Sequence, residues 1–148
     1  MLSLASNRFK TAMAEGLINF GQIGIGQGAS DTFKAIIMNS SYVFNKITHA
    51  KYSDVSSHEL SSGHGYSQGS YIVGSKTLSF DAANTYYNII LPPLIWTATE
   101  GSLGPLSGVI IYDDTITDKI IVCFLDFESL VTIESGNQLF IMNATIQL

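Results

Sequence analysis

Charge is scarce in this chain. Only 13% of its 148 residues are Asp, Glu, Lys or Arg, whereas about 25% is typical of a soluble domain. Hydrophobic residues make up 46%, which is more than the core of one small domain requires. We expect the surplus to be covered by other chains, because obligate interfaces are rich in apolar and aromatic residues.

Cysteine is nearly absent. Cys123 is the only one, so an intrachain disulfide is excluded and the fold does not depend on an oxidising compartment. It lies in the apolar run IIVCFL, where nothing nearby would lower its pKa. A buried, unreactive thiol is therefore predicted.

Long hydrophobic runs and basic clusters are also missing. No stretch approaches the roughly 18 consecutive apolar residues of a membrane span, and the N-terminal segment lacks the apolar core of a secretory signal. We expect synthesis in a cytoplasm and no membrane partner. Seven Lys and Arg stand against twelve Asp and Glu, so nucleic acid is not expected as a partner either.

The charges that are present divide unevenly. Residues 1–51 carry five basic and two acidic side chains, a net charge of +3, and residues 52–148 carry two lysines and ten acids, a net charge of -8. Such complementary halves can orient copies or partners during association. The alternative is an acidic surface that only keeps the protein soluble.

The N-terminal part predicts one short helix followed by an arm. Apolar side chains recur at helical spacing in residues 3–15, and Gly16 is a plausible stop. Five glycines follow in residues 16–28. They precede a strand instead of joining a strand to a helix, which argues against a phosphate-binding loop. We expect residues 1–30 to form a helix and a glycine-rich arm.

The remainder, residues 31–148, reads as strands separated by turns. Strands are predicted at 32–38, 71–80, 85–91 and 94–98, with Pro92 and Pro93 closing the third. Three more fall between Gly108 and Leu148, and their apolar runs predict that both faces are covered. Residues 39–70 are polar, with one turn of helix expected between 53 and 60. The pattern predicts an all-β domain with a β-sandwich or jelly-roll-like fold.

No group of residues predicts catalysis or a metal site. The chain has no GxSxG elbow and no cysteine with a credible histidine partner, so we expect neither an enzyme nor a cofactor. The polar segment contains three histidines near Glu59, but their spacing fits no zinc motif and favours surface positions: His49, His58 and His64. The turn with Asp113, Asp114 and Asp118 lacks a calcium-loop spacing and reads as solvated, although a cation there stays open.

Two further patterns have competing interpretations. Asp126 lies in an apolar strand, and a buried carboxylate needs a partner, for which a lysine or arginine of another subunit would serve; a small hydrolase using the aspartates is the alternative. Six aromatic residues favour core and interface packing over a sugar-binding platform: Tyr66, Tyr71, Tyr86, Tyr87, Trp96 and Tyr112.

The order of motifs resembles a family of small virion proteins of tailed bacteriophages. The resemblance covers nearly all of residues 31–148, and the glycine-rich stretch 21–28 looks inserted before it. The motifs that carry it are Asp31–Lys34 (DTFK), Tyr52–Val55 (YSDV), Gly65–Gly69 (GYSQG), Asp81–Asn84 (DAAN), Trp96–Thr97, Gly108–Asp113 (GVIIYD), Ile121–Phe127 (IVCFLDF) and Gly136–Leu148.

This resemblance implies a structural protein of the virion. Capsid decoration (cement) on the head surface is the first expectation, with the major capsid protein as partner and a homo-oligomer, most plausibly a trimer, as the assembly. A head–tail or tail component is the alternative, and a carbohydrate-binding module is the alternative of another class. Segments 1–30 and 39–70 are the expected gripping regions, and the expected interface residues are Phe9, Met13, Phe20, Tyr42, Phe44, Tyr66 and Tyr71.

Overall fold

The protein folds into three antiparallel sheets and one short helix, an all-β, sandwich-like fold. The computed structural model describes residues 1–20 and 30–148, so most of the predicted arm lies outside the described residues. The elements in order are β1 (Leu2–Ala5), α1 (Asn7–Ala14), β2 (Phe33–Asn39), β3 (Tyr71–Ile72), β4 (Thr77–Asp81), β5 (Tyr86–Ile90), β6 (Leu94–Thr97), β7 (Leu103–Asp113), β8 (Ile121–Ile133), β9 (Gln138–Ile141) and β10 (Thr145–Gln147).

The largest sheet forms the centre of the molecule, with strand order β1-β8-β7-β2-β3. β2, most of β7 and the first half of β8 are buried on both faces, as the apolar runs predict. The prediction is wrong for the last run, residues 138–148, which is divided into β9 and β10 of different sheets, each with one exposed face. Alternate residues of β2 and β7 enter opposite cores: Ile37 and Val109 pack on one side, and Ile36 and Ile110 on the other. Two smaller sheets, β10-β5-β4 and β6-β9, complete the fold.

The N-terminal helix is shorter than predicted. Residues 2–5 form a strand that pairs with β8, with Leu4 opposite Phe124, so the helix begins only after Ser6. The Ser6 side chain accepts a hydrogen bond from the backbone N–H of Phe9 (2.9 Å) and donates one to the carbonyl of Ile121. This buried serine caps the helix and fixes it to the central sheet.

The predicted end of the helix is confirmed. Gly16 has a φ of 71°, a left-handed conformation that glycine adopts without strain. Its N–H donates to Met13 O, and the N–H of Leu17 donates to Ala12 O at 2.9 Å. These two bonds form a Schellman motif, which satisfies the last carbonyls of the helix.

The strand predicted over residues 71–80 is wrong as a single element. It is divided into β3 and β4, which belong to different sheets. The N–H of Val73 donates to Phe33 O, after which the chain leaves the central sheet. In the polar segment, two 3-10 turns occur at Tyr52–Asp54 and Ser56–His58, where one helical turn was predicted.

We predict that Gly108→Ala destabilises the fold by about 3 kcal/mol, because overpacking a close strand contact forces the backbone apart. A Cβ at position 108 would overlap the carbonyl oxygen of Leu125 and lie 2.6 Å from the ring of Phe124. Gly74→Ala is the control, since its nearest neighbour is Pro92 Cγ at 3.7 Å. Urea unfolding measures both; equal stabilities for the two variants would contradict this packing.

Candidate functional site

The buried carboxylate of Glu59 is the most highly bonded side chain of the polar segment. One oxygen accepts from Tyr66 Oη at 2.7 Å and from Gly69 N at 2.8 Å, and the other accepts from Tyr52 Oη at 2.7 Å. Tyr66 Oη also accepts from the N–H of Ile37 in β2 at 3.1 Å. Glu59 therefore joins the polar segment to the central sheet, a role that the sequence did not indicate.

Burial keeps both tyrosines in the protonated, donating form. It raises the pKa of Tyr66 far above its ordinary value, and the neighbouring carboxylate of Glu59 adds to the effect. The same two causes raise the pKa of Tyr52 to about 12. Hydrogen bonds to a charged acceptor are stronger than neutral ones, so the three donors replace the water that Glu59 has lost.

Glu59→Ala should destabilise the protein by about 3 kcal/mol, because two buried phenols lose their acceptor at once. Tyr52→Phe removes a single donor and should cost about 1 kcal/mol. Urea unfolding followed by tyrosine fluorescence measures both losses. If the two variants lost equal stability, Glu59 would not be the shared acceptor.

Asp113 is the second buried acid. It is 0% exposed, its Oδ1 accepts from Thr115 N at 2.9 Å, and its Oδ2 has no hydrogen-bond partner in the described part of the chain. Burial, together with the adjacent carboxyl of Asp31, raises the pKa of Asp113 to about 6. The expectation of a solvated turn is thus wrong for this residue, because its enclosed carboxyl is favoured in the protonated, neutral form.

The pH dependence of stability follows from this raised pKa. Between about pH 4 and pH 6 the folded state holds a proton on Asp113 that the unfolded state has released, so stability falls as pH rises through this window. Asp113→Asn should remove the fall, because the amide needs no proton. Asp118→Asn makes the same charge change at an exposed position and should keep it. Urea unfolding at pH 4.5 and pH 7.5 distinguishes the outcomes.

The remaining predicted site residues do not converge on a ligand. Asp114 is paired with Lys34 at 2.9 Å and Lys119 at 3.2 Å. His49 is bonded to Tyr42 Oη at 2.9 Å. Across residues 1–20 and 30–148, no group of three acidic, histidine or cysteine side chains is placed to hold a metal ion.

Two single-residue predictions can be compared with the structure. Cys123 is fully buried, as predicted, and burial raises its pKa to about 12. Asp126 is only half-buried, and its Oδ1 accepts from the N–H of Glu128 at 2.8 Å. Its carboxylate therefore has a partner within its own chain and requires no cation from another subunit.

The predicted interface residues lie largely inside the chain. Phe9, Tyr42 and Tyr66 are buried in its two cores, and the other four are half-buried: Met13, Phe20, Phe44 and Tyr71. Trp96 and Tyr112 are buried as well, so the six aromatics considered for sugar binding do not share one exposed face.

Exposed apolar side chains occur elsewhere, first on a row we call the aromatic ridge: Phe80, Tyr87 and Leu148. These are 54%, 49% and 44% exposed. Phe80 is the register partner of Tyr87, with ring centroids 4.9 Å apart, and the N–H of Leu148 donates to Tyr87 O. The preceding row on the same face, which includes Ile89, is buried. The hairpin of β4 and β5 thus carries its apolar face beyond the part of the body that covers it.

A second exposed region is a groove of about 490 Å³, which we call the basic groove, formed by Leu4, Lys10, Phe44, Lys46 and Ile47. Ile47 is 72% exposed, and the nearby Val43 is 81% exposed. Among the described residues, neither lysine is in an ion pair. The groove therefore combines an apolar floor with two free positive charges.

A third region is a shallow apolar groove of about 360 Å³ between β8 and β9. Phe127 and Val131 line one side, and Phe140 and Met142 line the other. The N-terminal amine at its edge pairs with Glu128 at 2.7 Å. On soluble proteins, exposed apolar patches often mark interaction sites.

Comparison with protein-family models, with curated proteins and with solved structures finds no match to this chain. In residues 1–20 and 30–148, no helix has the length and apolar character needed to cross a bilayer.

Proposed function

We propose that this chain is a structural protein of a bacteriophage virion that decorates the outside of the head. In this proposal, copies assemble as a small homo-oligomer and bridge neighbouring subunits of the major capsid protein. Two features support this proposal. The order of motifs in residues 31–148 resembles that of small virion proteins of tailed bacteriophages, and the exposed surface carries many apolar side chains.

The observation that carries the proposal is the amount of apolar surface left uncovered. Thirteen large hydrophobic side chains in the described part of the chain are at least 39% exposed, although only 13% of the residues are charged. They fall in several regions, including the ridge and the two grooves, as a protein that contacts several neighbours requires. Single patches of this kind are common, but several on one small domain favour assembly.

The proposed mechanism is mechanical. Each copy buries apolar surface against two or more shell subunits, so separating those subunits also exposes that surface to water. An oligomer strengthens the effect, because once one copy has bound, the others act at high effective concentration. The doubly covered central sheet gives each copy the rigidity to transmit the load.

A head–tail or tail component remains the alternative location within the virion. A protein at that location would use the same apolar surfaces for its contacts. Carbohydrate binding is less favoured, since three of its six candidate aromatic residues, Tyr66, Trp96 and Tyr112, are enclosed in the protein.

The test is addition of the purified protein to empty heads of the parent phage that lack it. We expect saturable binding at a fixed ratio to the major capsid protein, symmetric density on the outer surface in cryo-electron microscopy, and a higher temperature of head disruption. The control is the same addition to purified tails. Binding to tails without binding to heads would replace decoration by the tail alternative, and binding to neither would contradict a virion role.

A further inference from the structure

The aromatic ridge and the basic groove are complementary in shape and in polarity. The ridge projects on a two-stranded hairpin, whereas the groove is concave with a volume of about 490 Å³. Phe80 and Tyr87 supply an exposed aromatic surface. Phe44 and Ile47 supply an apolar floor in the groove, against which the two rings can pack. Aromatic side chains bury about 150–250 Å² each when fully covered, so filling the groove removes a large exposed area from water.

Charge complementarity points in the same direction. Asp81 follows Phe80 at the end of β4, and its carboxylate accepts hydrogen bonds from Ala83 and Asn84 in the turn of the hairpin. Lys10 and Lys46 border the groove. The same relation holds over the whole chain, since residues 1–51 have a net charge of +3 and residues 52–148 a net charge of -8. The positive charge of the groove therefore favours contact with the acidic part of a second copy, to which the hairpin belongs.

The ridge and the groove also lie side by side. Lys10 of the groove and Leu148 of the ridge line a common smaller pocket of about 260 Å³. Because the two surfaces adjoin, two copies related by a twofold axis can approach so that each ridge faces the other's groove.

We propose that the aromatic ridge of one copy packs into the basic groove of a second copy of this chain. This inference deepens the proposed function, which requires a homo-oligomer, by naming the surfaces that join the copies. Phe80 and Tyr87 enter the groove against Phe44 and Ile47, while Lys10 and Lys46 lie at the rim toward the hairpin turn that carries Asp81.

The experiment compares association of the full chain with that of two variants by analytical ultracentrifugation. The ridge variant is Phe80→Ser with Tyr87→Ser, and the groove variant is Lys46→Glu with Ile47→Ser. Each should weaken association about a hundredfold, because buried aromatic and charged contacts dominate interfaces. Leu130→Ser is the matched control: Leu130 is 59% exposed on β8, outside both surfaces, and its loss should leave association unchanged.

Mixing the ridge variant with the groove variant gives a sharper test than measuring each variant alone. Each variant retains the surface that the other has lost, so an equimolar mixture of the ridge and groove variants should recover a heterodimer through the one intact contact. Circular dichroism spectra equal to that of the natural chain exclude misfolding of the variants. A natural chain that is monomeric at every concentration, variants that associate normally, or a mixture that stays monomeric would each overturn the inference.

Head binding separates this inference from the proposed function. A monomeric chain that decorates heads contradicts the ridge–groove contact and leaves decoration intact, and if the ridge variant then fails to bind heads, the ridge contacts the capsid protein instead. An oligomer that depends on ridge and groove but binds no heads supports the contact and contradicts decoration.

Discussion

The carboxylate of Glu59 is the contact on which the packing of the polar segment depends. Burying a charge is costly unless donors replace the lost water, and here three donors do so without a cation. They come from the middle of the segment, at Tyr52, and from its end, at Tyr66 and Gly69. Through Tyr66 the same group reaches the backbone of Ile37, so Tyr42 and Val55 remain against the outer face of the central sheet. Local hydrogen bonding thus replaces strands where the sequence offers few apolar residues.

The exposed surfaces follow from how this frame is built. The segment held by Glu59 places Phe44 and Ile47 beside β1, which creates one wall of the basic groove. The β4–β5 hairpin is joined to the body mainly through β10, and beyond Ile89 its apolar face has no cover. Both surfaces therefore belong to well-bonded backbone. Preorganised surfaces of this kind lose little conformational entropy on association.

Local sequence patterns predicted burial and the end of the helix, but they did not predict features that depend on residues far away in the chain. The apolar runs of β7 and β8 predicted their burial and that of Cys123, and Gly16 marked the helix end. Leu2–Ala5 could not be recognised as a strand, because its partner lies about 120 residues away and strand preference depends on such neighbours. Asp126 interrupts an apolar run, which predicted that it would be buried. Among the described residues, however, the acid with no exposed surface is Asp113, which lies at the end of β7 beside Asp31. For Phe9, Tyr42 and Tyr66, composition indicated burial but not whether their own chain or another provides it.

Pairing of the first strand with the eighth has a consequence for biogenesis. Residues 2–5 find their partners only at Cys123–Asp126, so this edge of the central sheet cannot close until β8 has been synthesised. Contacts of such long sequence separation slow folding and keep intermediates open. Until β8 is available, the face of α1 that packs against it stays uncovered.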